Sequence, residues 1–426
     1  MKSTFISIGL LLGLLSYGQI VDKELSIQDL IQKQADDIFD NLVKIRRDFH
    51  MNPELSEQEQ MTSKKIADYL ISLGLEVRTN IGGYGVVGIL NGNKNGKRIA
   101  WRADIDALKT DYPDIVDFKS TKPGIRHICG HDVHTTIALG IANVLSHHRK
   151  EIKGTVYFIF QPSEENYKGA KSMIDDGLFD IISPDEIYGL HINPMPTGFI
   201  SAKSDLVYAY LKIINVSYNN TSNKEAIIDF TKNLILKFQN VRSDSKFWDS
   251  RNLGDPDVGI SNLNTVYQNY LTVDKNFIIE EVGNNINIMT VLTGTNKNQL
   301  DSIPNLLEQI IRNSDYSGDL VSVNYSFEYP TVINDTNLTA KSLNSIKEIF
   351  GEQIVIPIYG VIPNFNDDFS YFQQNIPGVY YFLGGSNYQE GIISMPHTPN
   401  FAVDEECIKV GVKYFSSMIV ERLNNN

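Results

Sequence analysis

Cysteine is scarce: the chain has two, Cys129 and Cys407, in 426 residues. A disulfide framework therefore does not organise it. Cys407 lies in "FAVDEECIKVGVKYFSSMIVERL", where Val403, Cys407, Val410, Phe415, Met418 and Ile419 have the spacing of a helix packed on a core. There it reads as a buried small hydrophobe, which leaves Cys129 for another role. Positive charge is short as well. Lys and Arg number 38 against 51 Asp and Glu, a net charge of −13. That balance argues against nucleic acid and against an anionic membrane surface, since both require a basic face. Past the amino terminus no run is long and apolar enough to be a membrane span. Tandem repeats, low-complexity tracts and the metal signatures H-E-x-x-H and C-x-x-C are also missing.

The amino-terminal "MKSTFISIGLLLGLLSYGQ" has Lys2, an apolar run from Phe5 to Leu15, and small residues at Ser16 and Gly18. This is the pattern of a secretory signal peptide over residues 1–18, cut after Gly18, and it predicts a secreted or periplasmic protein. An uncleaved anchor is the alternative; no cysteine sits at the cleavage point to carry a lipid. The remaining chain is long enough for two domains.

Residues 25–74 read as helical. Ile38, Phe39, Leu42, Val43, Ile45 and Phe49 recur at helical spacing, and Pro53 breaks the run. The stretches "GVVGIL", "RIAWRADID", "GTVYFIFQP" and "EIYGLHI" then read as strands buried on both faces, with "TTIALGIANVLSHH" a helix between the second and third. Such alternation predicts an α/β domain with a mainly parallel sheet. "GYGVVG" matches G-x-G-x-x-G, but it runs into a strand rather than out of one into a helix, so it is not a dinucleotide site. Residues 203–329 change character and read as βαββαβ, the split ferredoxin-like order. We therefore expect a larger domain in two parts, 19–202 and 330–426, interrupted by an inserted α+β lid at 203–329.

Eight histidines are present. His147 and His148, beside Arg149 and Lys150, suit a solvated helix end. His50 ends the first helix and reads as structural. Cys129 and His131 are two residues apart in "HICGHDVHTT", so in an extended segment they point to one side, a thiolate and an imidazole suited to zinc. Glu164 and Glu165 in "QPSEE" follow a strand directly, where one acid can bind metal while its neighbour handles a proton. His191 in "GLHINP" and His397 in "MPHTPNF" also fall at strand ends or loops. On residue types alone, a metal site and a set of buried structural polar groups both remain open.

The segments "RRDFHMNPELSEQE" (46–59), "WRADIDAL" (101–108), "FKSTKPGIRHICGHDVHTT" (118–136), "FIFQPSEENYKGAKSMIDDG" (158–177), "GLHINPMPTG" (189–198), "NDDFSYF" (366–372) and "MPHTPNFAVDEE" (395–406) together resemble the zinc amidohydrolase/carboxypeptidase family, in its aminoacylase, hippurate hydrolase and indole-acetyl-amino-acid hydrolase branch. They occur in the family's order. The resemblance implies two divalent metal ions, zinc or manganese, held by Cys129, His131, Glu165, His191 and His397, with Cys129 shared between them. It implies Glu164 as the general base that takes a proton from water and returns it to the leaving amine, and Asp106 as a group that orients a ligand. His127, Asp132 and His134 would orient ligands too. The implied substrate is small, an N-acyl amino acid or a short peptide, and the lid would mediate a homodimer. Departures concern the lid. No histidine occurs between His191 and His397, where the family carries one in a glycine-rich stretch; the region here reads "VSYNNTSNKEA". Asn287 replaces a proline, and Lys297 and Lys109 stand where the family has arginine and proline. These departures imply weakened turnover, with Asn219, Asn220 or Asn223 as substitute donors, or a catalytically silent relative that binds a ligand in the cleft.

Overall fold

The computed structural model describes residues 25–424, so the expected signal peptide lies outside the described residues. The first helix, α1 (Ile27–Met51), opens with a capping box in which Ser26 and Asp29 satisfy each other's backbone amides. It ends two residues before Pro53. In chain order there follow α2 (Gln60–Ser72), β1 (Glu76–Ile81), β2 (Gly85–Asn91), β3 (Lys94–Asp104), α3 (His131–His147), β4 (Lys153–Gln161), α4 (Gly169–Asp175), β5 (Glu186–Pro196) and β6 (Ile200–Ser201). The lid contributes β7 (Tyr210–Asn219), α5 (Lys224–Leu236), β8 (Leu271–Val273), β9 (Ile278–Val282), β10 (Asn285–Gly294), α6 (Lys297–Arg312) and β11 (Leu320–Glu328). The chain then returns through α7 (Thr336–Phe350), α8 (Phe369–Gln373), β12 (Gly378–Ser386) and α9 (Glu406–Asn424).

Seven strands form one sheet in the order β1-β2-β4-β3-β5-β12-β6. The central four, β4-β3-β5-β12, are parallel, and the edges are antiparallel. Because successive side chains point to opposite faces, adjacent residues feed two cores. Trp101, Phe158, Tyr188 and Tyr381 pack under α1, α3 and α9. Ala100, Ile159, Ile187 and Tyr380 pack on the other side with Ala170 and Met173 of α4 and Phe369 and Phe372 of α8. The sheet is therefore covered on both faces, which is why its strands read as continuous apolar runs.

The lid is a second, antiparallel sheet in the order β11-β7-β10, with β8 and β9 both paired to the far side of β10. With α5 and α6 it has its own apolar core, including Ile214, Val216, Ile227, Ile288, Leu300 and Leu307. This is the expected ferredoxin-like order, with one correction. The second strand, expected around 260–281, is reduced to β8 and β9. The chain from 241 to 270 instead makes two short 3₁₀ turns, Lys246–Trp248 and Ser250–Gly254. Its aromatic residues Phe247, Tyr267 and Tyr270 pack on Leu206, Ala209 and Val361 at the root of the lid. The Val361 amide donates to the Tyr267 carbonyl at 2.9 Å, and the Tyr270 hydroxyl donates to the Val361 carbonyl at 3.2 Å. Packing against the catalytic layer thus replaces strand pairing.

The three lid asparagines stand away from the site within the chain. Asn219 ends β7, nine residues beyond Tyr210 at the lid's root, or about 30 Å along the strand at about 3.3 Å per residue. Asn220 donates to Glu281 at 3.1 Å, and Asn223 sits at the start of α5. None of the three hydrogen-bonds a residue of the site described below.

Helix α3 packs against both α1 and α9, and Gly140 faces side chains of both. A Cβ there would stand 2.4 Å from Val412 Cγ2 and 2.8 Å from Leu42 Cδ1. Gly→Ala within a helix ordinarily stabilises by about 1 kcal/mol, whereas overpacking a core costs about 1–3 kcal/mol. With two core side chains in the way, packing should win. Gly140→Ala is expected to destabilise by about 1–2 kcal/mol in urea unfolding.

Candidate active site

The chemistry-bearing side chains gather at the carboxyl ends of the parallel strands, the usual place for a site in an open α/β sheet. Strand β3 ends at Asp104 and leads to Asp106; β4 ends at Gln161 and leads to Glu164 and Glu165. His191 lies within β5 rather than after it. Cys129 and His131 flank Gly130, which has φ 92° and where a Cβ would meet Ile192 at 2.5 Å. Only glycine fits there, and it turns the chain so that His131 begins α3.

Among the donor sets whose ligand atoms lie within 4.8 Å of one another are Cys129, His131 and His191; Cys129, Glu165 and His397; and His131, Glu164 and Glu165. The first two share Cys129. The Cys129 sulfur is 3.2 Å from His191 Nε2, and His397 Nε2 is 3.5 Å from Glu165 Oε1. All five residues expected as ligands are thus brought together.

Hydrogen bonds on the second ring nitrogen sort the histidines. His131 Nδ1 donates to the Asp106 carbonyl at 2.9 Å and lies 3.2 Å from the Asp106 carboxylate, while its Nε2 is buried without a hydrogen-bond partner. His191 Nδ1 donates to the Ile192 carbonyl at 2.6 Å and leaves Nε2 facing Cys129. Both imidazoles are fixed with one nitrogen pointing at the centre, as metal-ligating histidines are. His134 is different. Its Nδ1 donates to Asp104 at 2.7 Å and its Nε2 accepts from the Ile192 amide at 3.0 Å, so neither nitrogen is free for a metal, although His134 lies close to Asp104 and His131. It orients β5 beside His191, as expected.

Two other expected orienting groups do something else. Asp132 binds Arg46 at 2.8 Å and His50 at 2.9 Å, and His50 Nε2 in turn lies 3.1 Å from Asp114. Asp132 thus ties α3 to α1 rather than touching a ligand. His127 is buried with both ring nitrogens unpartnered.

Acidity dominates the centre. Burial and the charges of Asp367 and Glu165 hold the Glu164 carboxyl well above the usual range. Burial, then Glu165 and Glu164, push the Cys129 thiol up. Burial opposes protonation of His131, yet Asp104, Asp106 and Glu165 raise it to about 10. Among the described residues, the salt bridges of these acids reach one permanent cation, Arg102. Thiolate, imidazole and carboxylate donors, an orphaned His131 Nε2, an orphaned Glu165 Oε1 and an excess of negative charge fit divalent cations of the zinc type.

Arg102 and the acids around it escaped sequence reasoning, although "RADID" and "NDDFSYF" contain them. Fully buried, Arg102 contacts Asp104 at 2.7 Å, Asp367 at 3.0 Å, Asp368 at 3.1 Å and Gln161 at 2.8 Å. A doublet such as Asp367-Asp368 normally reads as solvated surface. The one available signal was its place in a segment that resembles the family.

Fold and donor set together define a metal-dependent hydrolase built on a doubly covered α/β sheet with a ferredoxin-like lid. The chain belongs to peptidase family M20/M25/M40, whose model matches residues 100–421. It is 33% identical to the Bacillus subtilis protein YhaA over 93% of this chain and 98% of that one. It is 30% identical to thermostable carboxypeptidase 2 of Saccharolobus solfataricus, covering 90% and 96%. The solved structure of Bacillus subtilis YxeP, described as a dinuclear metal-binding peptidase, superposes with a TM-score of 0.72 at 25% identity, covering 92% of this chain and all of that one.

Two outcomes follow. Arg102→Met strands three buried carboxylates without their cation and should cost about 3–5 kcal/mol in chemical denaturation. Burial pushes His127 down to about 4 despite Asp132. The unfolded chain therefore binds a proton near pH 6.5 that the folded chain refuses until about pH 4, so stability falls as pH drops through that window, by up to about 3 kcal/mol. In metal-stripped protein, His127→Gln should flatten the dependence of the urea midpoint on pH between 6.5 and 4.

Proposed function

We propose that this hydrolase cleaves the amide bond of N-acyl amino acids or short peptides at a centre of two divalent ions, with Glu164 as general base. The observation that carries the reading is the pair of donor sets sharing Cys129, with the buried acid Glu164 beside them. Cys129, His131 and His191 would hold one ion, and Cys129, Glu165 and His397 the other. When bound, such ions lower the pKa of water and polarise a carbonyl. Glu164 does the proton work. Its Oε2 lies 3.7 Å from His131 Nε2, at the edge of the donor cluster. As a carboxylate beside both sets it can take a proton from the attacking water and hand it to the departing amine. Asp106 receives the His131 imidazole on one side and the Glu165 amide, at 3.0 Å, on the other, and so sets the angle between two ligands. Names among the relatives support the amide class: IAA-amino acid hydrolase ILR1-like 4 of Arabidopsis thaliana is 29% identical over 92% of this chain. The reading includes export of the chain and a homodimer through the lid. Leu306 and Ile310 on α6 and Val321 and Phe327 on edge strand β11 are exposed apolar side chains that favour the latter.

The zinc- or manganese-loaded protein should hold about two ions per chain, because five ligands exceed one four-coordinate site. Cys129→Ser and Glu165→Gln should each lower the metal content measured by atomic emission. Glu164→Gln should keep the metal and lose hydrolysis by about 10²-fold or more. Retention of wild-type kcat by that variant would remove Glu164 from the role. A positioned oxyanion donor is worth about 10²–10³ in rate, and the lid has no histidine to supply one. On N-acetyl and N-benzoyl amino acids kcat/KM should accordingly fall below about 10⁵ M⁻¹s⁻¹.

A further inference from the structure

The loop carrying Glu164 and Glu165 is bent in ways a free peptide resists. Ser163, immediately before Glu164, has φ 55°, and Tyr167 has φ 59°. Both lie in the left-handed region that side chains other than glycine's disfavour. The bend closes so tightly that a Cβ at Gly169 would stand 1.6 Å from the Pro162 carbonyl oxygen. The amides of Lys168 and Gly169 return to the Ser163 carbonyl at 3.3 and 3.0 Å. Such a bend persists only where its surroundings over-determine it.

The hold comes from the segment between α1 and α2. Glu59 Oε1 accepts the Ser163 amide at 2.7 Å and lies 3.3 Å from the Ser163 hydroxyl. The Glu57 amide donates to the same hydroxyl at 2.9 Å. Three residues upstream of Glu59, the Ser56 hydroxyl donates at 2.7 Å to Asp106 Oδ2, the oxygen that also accepts the Glu165 amide. Glu59 occupies the N-cap of α2, yet its side chain makes no bond to that helix. Glu54 does the capping instead, accepting the Thr62 amide at 2.8 Å and its hydroxyl at 2.9 Å. Glu59 is thereby released from the task its position would give it, and it is fully buried against the bend.

We propose that Glu59 is a positioning residue, fixing the Glu164–Glu165 loop by accepting the Ser163 amide. The claim rests on the reading above that Glu165 binds metal and Glu164 moves the proton. What the bend needs is an acceptor, not a charge. Burial and Asp106 push Glu59 up to about 7, so near neutral pH it carries a proton much of the time and a neutral amide should serve in its place. Glu59→Gln keeps the acceptor, Glu59→Leu removes it, and Glu59→Asp keeps the carboxylate but withdraws it by one methylene.

Zinc affinity of the metal-stripped protein, measured by competition with a chromophoric chelator, reads the position of Glu165 without any substrate. Outer groups that orient ligands typically contribute 10–100-fold to affinity or activity. Glu59→Leu should weaken zinc binding about 10–100-fold and lower kcat on any hydrolysed amide by a similar factor with KM little changed. Glu59→Gln should remain within about 3-fold of wild type on both, and Glu59→Asp should fall between them. Wild-type affinity and kcat in Glu59→Leu would overturn the proposal, as would equal losses in Glu59→Gln and Glu59→Leu. If Glu59→Leu does not fold, Glu59→Asp decides: a loss at unchanged melting temperature supports the role, and wild-type values overturn it. Should wild-type protein hydrolyse no amide offered, the functional reading fails, while the zinc series still tests the positioning role.

Discussion

One guanidinium, buried among carboxylates, underlies the arrangement of the centre. Arg102 belongs to β3, takes Gln161 from the end of β4, and binds Asp367 and Asp368 at the turn into α8. Three carboxylates in a dry interior would be intolerable without it. With it they become fixed acceptors that organise everything nearby. Asp104 holds His134, which holds the Ile192 amide of β5. Asp368 holds the Ala170 amide just past the Glu164 loop at 2.9 Å, and Asp367 accepts the Tyr380 hydroxyl of β12 at 2.5 Å. Four parallel strands and the acidic loop are thus referred to one charge. The cation balances only part of the local negative charge, and the remainder is what a divalent ion would find attractive.

The three histidines of "HICGHDVHTT" show how a single stretch divides its labour. His127, His131 and His134 are all buried, so burial does not tell them apart. What separates them is the partner of each ring nitrogen. His131 gives one nitrogen to Asp106 and keeps the other open; His134 commits both; His127 commits neither. Spacing singled out Cys129 and His131, because two residues in extended chain face one way. It could not decide among the histidines, because the deciding groups come from β3 and β5, far away in sequence.

The same limit explains what was legible and what was not. Helices α1 and α9 and the buried strands announced themselves by period and by uninterrupted apolar runs, and the acids after β4 by following such a run directly. The segment 241–270 carried no period, since aromatic side chains docked on a neighbouring layer need none. Glu59 sat in "SEQEQ", which reads as solvated helix start, and its burial depends on a turn more than a hundred residues later. Asp367 and Asp368 carry no local sign of their burial, because the arginine that neutralises them lies in β3, on the other side of the lid in the chain. In each case a long-range partner reversed what the local residues suggested.

The lid interrupts the large sheet between β5 and β12, which are hydrogen-bonded neighbours in space. The lid strands pair only among themselves and have a separate core, so most of this unit can close through local contacts, while its 241–270 segment docks on Val361. The large sheet cannot, because its last central strand arrives after the lid has been made, and closing so long a loop is slow. Until then β5 presents an apolar edge, the kind of surface that invites association with other chains. His397 follows β12, so the set of Cys129, Glu165 and His397 is completed only after the lid and β12, whereas Cys129, His131 and His191 all precede the lid. A chain shortened before His397 would keep the Cys129, His131 and His191 set and lose the Cys129, Glu165 and His397 set, so the two sets depend on different lengths of polypeptide.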